Sequence, residues 1–139
     1  MNARTFATVL GVAFLLAGVA GFFPSPIHPD APPLTMPHGY GLALGLLPVN
    51  TLHNVVHLLF GVLGLAAGRG AIMSARAYAQ MVAVVYGLLV VLGLLPATHT
   101  TFGLIPIYGN DVWLHAVIAV LAGIVGFGGG AAETRRSPA

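Results

Sequence analysis

The stretch "NTLHNVVHLLFGVLGLAAG", residues 50–68, carries two asparagines and two histidines in its first eight residues and almost nothing but apolar side chains and glycine after them. Nineteen residues without a charge are long enough for a helix to cross the hydrocarbon core of a bilayer. On such a helix, at 100° per residue, Asn50, His53, Asn54 and His57 fall on one side, and Gly61, Gly64 and Gly68 continue that side inward. The stripe is polar at one end and glycine at the other. Glycine lets a second helix approach closely, and Gly64–Gly68 is a GxxxG pattern, so the polar groups are expected to face protein rather than lipid.

The rest of the chain repeats the membrane signal. Its 139 residues are 58% hydrophobic and 6% charged, where a soluble domain carries roughly 25% charged residues. Uncharged apolar runs recur at about 5–23, 77–95 and 112–132, each of spanning length. In lipid a lone segment must satisfy its own backbone, which selects helices. The expected fold is an all-α, integral membrane four-helix bundle formed by a single domain, with spans at 5–23, 50–68, 77–95 and 111–132 and loops at 24–49 and 96–110. The first run resembles a signal peptide, with Arg4 ahead of it, and is read as a true span. Seven of the ten prolines lie in residues 24–48, so that loop is expected to be irregular. "HGYGLALGLL" (38–47) is too short to span and is expected at the interface, and Tyr108 and Trp113 at headgroup level.

The five basic residues are all arginines: Arg4, Arg69, Arg76, Arg135 and Arg136. They flank one set of span ends, and the loops 24–49 and 96–110 have none. The positive-inside rule then puts both termini and the 69–76 loop in the cytoplasm, and the polar ends of spans two and four outside. The scattered arginines form no basic patch, which excludes a nucleic-acid partner. The lipid bilayer is the expected environment, with other membrane subunits or a second copy of the chain as candidate partners. With no cysteine, disulfides and thiolate metal sites are excluded.

Span four mirrors span two. Asp111 and His115 share a face that continues through Ala119, Ala122, Gly126 and Gly130. Both spans start at the same side, so their polar ends lie at similar depth, and the simplest bundle packs their glycine faces together. That arrangement gathers His53, His57, His115 and Asp111 as candidate metal ligands. Asn50, Asn54 and Asn110 then stand around them as ring-orienting groups. Asp111 or Asn110 could also cap span four. Gly87 and Gly93 of span three are expected to be packing positions. His28, His38 and His99 lie in loops; His38 or His99 could add a ligand.

Together, "LPVNTLHNVVHLLFGVLGL" and "YGNDVWLH" resemble a family of small bacterial four-helix membrane proteins defined by a domain of unknown function. The match lies in its Asn-x-x-His-Asn-x-x-His and Asn-Asp-x-x-x-His patterns, here Asn50, His53, Asn54, His57 and Asn110, Asp111, His115. The resemblance implies the four-helix fold, a multi-pass place in a bacterial inner membrane, and the grouping of these residues; it implies no activity.

Neutral imidazole is the commonest metal ligand. Three nitrogens and a carboxylate suit zinc, iron, copper or manganese. A haem would instead use His57 and His115 on either side of its plane. The competing reading is an accessory or scaffold subunit whose cluster bonds helices together at roughly 0.6 kcal/mol per contact. A proton path is not expected, because spans two and four continue inward with only apolar and glycine positions. Enzymatic activity is not expected either, because no serine, cysteine or lysine stands where it could act as a nucleophile. The ligand reading is preferred.

The arginine asymmetry predicts that cysteines replacing Thr35 and Thr100 react with a membrane-impermeant thiol reagent in intact cells and that Ser74→Cys does not. The reverse labelling pattern would place the histidines on the cytoplasmic side.

Overall fold

The structure, a computed structural model, describes residues 1–27, 34–37 and 39–128. Four helices dominate it: α1 (Ala3–Ala20), α2 (Thr51–Arg69), α3 (Ala75–Leu94) and α4 (Asn110–Phe127). Each is long and apolar enough to cross a membrane, so the chain is an all-α membrane protein set in a lipid bilayer. Side-chain caps start three of the helices: Asn2 accepts from Thr5 N–H, Asn50 from His53 N–H and Ser74 from Ala77 N–H. α2 stops at Gly70, whose φ of 71° lets the chain reverse after the last turn.

The helices form two tight pairs, α1 with α2 and α3 with α4, while α1 and α4 barely touch. The first pair is a small-residue seam. A Cβ at Gly64 would lie 2.8 Å from the Ala7 carbonyl and from Gly11 Cα, and one at Gly61 would meet Leu15 at 2.6 Å. Gly68 faces Thr8, and Gly11 on α1 lies against the Gly61 carbonyl and Leu65. This corrects one expectation. The glycine stripe of α2 brings α1 close, not α4, because the small partner surface is the Ala7–Gly11–Gly18 face of α1. Likewise Gly126 of α4 lies against Gln80 of α3, and its carbonyl accepts from Arg76 Nε and Gln80 Nε2, both at 2.9 Å. Gly130 lies outside the described residues. Gly93 is a packing position, against Ile107 and Val112, but Gly87 has open space beside it.

Between the pairs runs a core of Phe6, Phe14, Ala67, Tyr78, Val82, Tyr86 and Ala122. Tyr78 donates from its hydroxyl to the Phe60 carbonyl at 3.0 Å, which fastens α3 to α2.

The long loop departs from the irregular form expected of it. β1 (Gly41–Ala43) and β2 (Leu47–Val49) pair antiparallel, and Ser25 exchanges two backbone bonds with Leu42. The reversal uses Leu44 (φ 53°) and Gly45 (φ 70°), the pair of positive φ angles that a tight hairpin turn demands. Leu42, Ala43 and Val49 are buried, so the hairpin folds onto the bundle end. Tyr108 is buried too, edge-on to Tyr40 with ring centroids 6.1 Å apart, whereas Trp113 is exposed.

The seam predicts unequal tolerance. Gly64→Leu should destabilise by about 1–3 kcal/mol or prevent folding, because backbone atoms cannot yield to a large side chain. Gly87→Leu should leave the melting temperature within a degree or two. Equal losses in a detergent thermal-shift assay would refute the seam.

Candidate metal centre

His53 and His57 stand one turn apart near the start of α2, and His115 stands near the start of α4. These two helix ends meet beneath the hairpin. One ring nitrogen from each of the three histidines lies within 4.8 Å of the other two. His53 and His115 are 3% and 2% exposed. The ring centroids of His53 are 4.5 Å from those of His57 and 6.1 Å from those of His115.

Two of the rings each have one nitrogen held by a backbone carbonyl. His53 Nδ1 lies 3.1 Å from the carbonyl oxygen of Pro48, in β2. A carbonyl only accepts, so Nδ1 carries the proton and, in the neutral ring, Nε2 carries the lone pair. His115 Nδ1 lies 2.7 Å from the backbone carbonyl of Asp111, which fixes the same tautomer. A metal-ligating histidine has this arrangement, its far nitrogen donating to a carbonyl or carboxylate. His57 differs: its Nδ1 is buried and has no hydrogen-bond partner among the described residues. Its ring is sandwiched instead, against Phe14 at 5.6 Å and His53.

Asp111, 2% exposed, does not join the convergent nitrogens. Its Oδ2 lies 3.3 Å from His115 Nδ1, yet Nδ1–H is already directed at the carbonyl, and Oδ2 is without a hydrogen bond. The aspartate thus stands beside the His115 ring and outside the group of three nitrogens. Neither it nor Asn110 caps α4: Gly109, at φ 60°, is the cap residue, with no side-chain bond.

The asparagines separate in the same way. Asn50 bonds no ring. Its Oδ1 accepts from His53 N–H at 2.9 Å and its Nδ2 donates to the Leu104 carbonyl at 2.8 Å, so it ties the start of α2 to the second loop. Asn54 is 2% exposed beside the cluster, its amide pressed on Gly21 and its Oδ1 unpartnered. Asn110 is exposed. His99 packs near Tyr108 at 6.3 Å and adds nothing to the group. His28 and His38 lie outside the described residues.

Three participants escaped the sequence reading. The Pro48 carbonyl depends on a hairpin that no alternating pattern announces. Phe14 and Tyr86 wall the site: Tyr86 stacks on His115 at 4.7 Å and on Phe14 at 5.3 Å. A hydroxyl-bearing ring in the middle of span three was the available signal for Tyr86.

Residues 4–128 match the family model described as "Domain of unknown function (DUF4383)". The chain belongs to this family. No curated protein and no solved structure matches this DUF4383 chain. The family assignment and the four spanning helices make it a small multi-pass membrane protein, and the buried histidine group is its one cluster of potential metal ligands among the described residues.

Proposed function

We propose that the protein binds one divalent transition-metal ion through His53, His57 and His115. The observation that carries this reading is the convergence of three imidazole nitrogens, one from each ring and all within 4.8 Å of one another, with two of the rings held in the tautomer that leaves Nε2 a lone pair. In tetrahedral zinc coordination, nitrogens about 2.0–2.1 Å from the ion are about 3.4 Å apart. The three nitrogens lie within 4.8 Å of one another, so they close on an ion only by a shift of the ligating residues. Three neutral nitrogens suit zinc, copper or iron. Asp111 supports the site in two ways: its carbonyl orients His115, and its carboxylate offsets the positive charge of an ion in a low-dielectric surrounding.

Haem has less support. The His57 and His115 rings are already stacked on Phe14, His53 and Tyr86 at 4.5–6.1 Å, which leaves no slot for a macrocycle between them. The accessory-subunit reading with hydrogen-bond glue is supported less as well, since the ring bonds run to the carbonyls of Pro48 and Asp111 and not across from α2 to α4. Arg69 ends α2 and Arg76 opens α3, both at the end opposite the histidines. With the positive-inside rule, this favours an outward-facing centre and cytoplasmic termini.

Protein purified without a histidine tag or chelator should contain close to one equivalent of metal by elemental analysis. Ligands bind deprotonated, so occupancy should fall as the pH is lowered far enough to protonate the histidines. The stability conferred by the ion is therefore present at higher pH and lost on that protonation, about 2.7 kcal/mol when free metal is 100 times Kd. His57→Ala should lose most of the metal. A folded, metal-free protein whose melting temperature is unmoved by zinc, copper or iron would overturn the proposal.

A further inference from the structure

Beside the histidines, α1 and α4 separate instead of packing, and the gap holds a cavity of about 280 Å³. Its walls are apolar, among them Ala17 of α1, Leu47 of the hairpin and Ile118 of α4. Its floor is His57, Tyr86, His115 and Asp111. Ala13 and Leu114, which line it on α1 and α4, are both exposed on the helix surface. The mouth therefore opens between two spanning helices, toward lipid, and the hairpin closes the end above it.

Two buried polar atoms of these lining residues make no hydrogen bond: Asp111 Oδ2, which has only the His115 ring nitrogen beside it at 3.3 Å, and His57 Nδ1. An unpartnered buried polar group costs free energy that a suitable ligand recovers. An ionised carboxylate only accepts, so the missing partner is a donor. An apolar cavity of roughly 150 Å³ accommodates benzene, so this one has room for a substituted ring. The aromatic floor offers faces for stacking at the spacings at which such rings pair.

We propose that the cavity binds a bilayer-dissolved phenol, an apolar ring with one hydroxyl, admitted between α1 and α4 and donating its hydroxyl to Asp111 Oδ2. The assignment rests on the cavity and on a carboxylate oxygen that makes no hydrogen bond, and it stands whether or not the histidines hold an ion. The ring lies along Ala17 and Ile118 with its hydroxyl toward the start of α4. Entry from the membrane excludes strongly hydrated solutes.

The test compares 4-fluorophenol with fluorobenzene by ¹⁹F NMR against the full chain in lipid nanodiscs, with empty nanodiscs as the partition blank. Saturable binding near one equivalent is expected, with 4-fluorophenol favoured about tenfold or more, as for a hydrogen bond to a charged acceptor. Asp111→Leu should bring the two probes to equal affinity, and Ala17→Phe should abolish saturable binding of both. The wild-type comparison needs no variant, so a misfolded substitution leaves the test intact. Chelator should not change the ratio. Equal affinities in the wild type would mark a cavity for acyl chains and overturn the proposal. So would an absence of saturable binding, or a hydroxyl preference that disappears on chelation and so belongs to the ion.

Discussion

A ring N–H buried at membrane depth has no water to bond, and each unsatisfied polar group there costs several kcal/mol. The arrangement of this protein's polar end follows from how that requirement is met. His53 gives its Nδ1–H to Pro48 and His115 gives its own to Asp111, both to backbone carbonyls. Backbone carbonyls do not titrate or rotate away, so the two rings are held in one tautomer and one orientation. Each of these rings then keeps Nε2 as its lone pair, and one nitrogen from each lies within 4.8 Å of one from His57. The site is the consequence of local bonds, each made within a few residues of its histidine.

Those bonds hold their geometry because the scaffold around them is stiff where it must be. The α1–α2 seam lets backbones meet at Gly11, Gly61 and Gly64, which sets the position of α2 against the bundle. On the other side, Gly126 receives two donors from α3, which sets α4. The histidines of α2 and α4 meet although those helices belong to different pairs. Tyr78 and the aromatic stack of Phe14, Tyr86 and His115 join the pairs at the core. The hairpin then supplies the acceptor for His53 and lids the end. The one place where packing is loose, between α1 and α4, is also where the cavity reaches the histidines.

Much of this was legible in the sequence because the membrane simplifies the code. Uncharged runs of spanning length admit one backbone solution, so the four helices follow directly. The i, i+4 spacing of His53 with His57 and of Asp111 with His115 put the right side chains on common faces. What was not legible depended on partners far away in the chain. A glycine stripe shows that something approaches closely but not which helix does, and Ala7 and Gly11 of α1 proved the closer complement to Gly64. The roles of Asn50 and Asp111 shifted for a related reason: an asparagine at a helix start bonds its own helix first, and a carboxylate one turn before a histidine meets the ring's near nitrogen, not its far one. The hairpin was hidden because Leu44 occupies a positive φ usually given to asparagine or glycine, and because Pro48 interrupts the strand signal.

The tautomers are the point on which this account depends most directly, and ¹⁵N-histidine NMR of the protein in lipid reads them. At neutral pH, after treatment with chelator, His53 and His115 should each show a protonated Nδ1 and a bare Nε2, assigned through His53→Gln and His115→Gln. Added zinc should then shift the Nε2 resonances of both and leave their Nδ1 protons in place. Nε2–H tautomers, or doubly protonated rings at neutral pH, would contradict it.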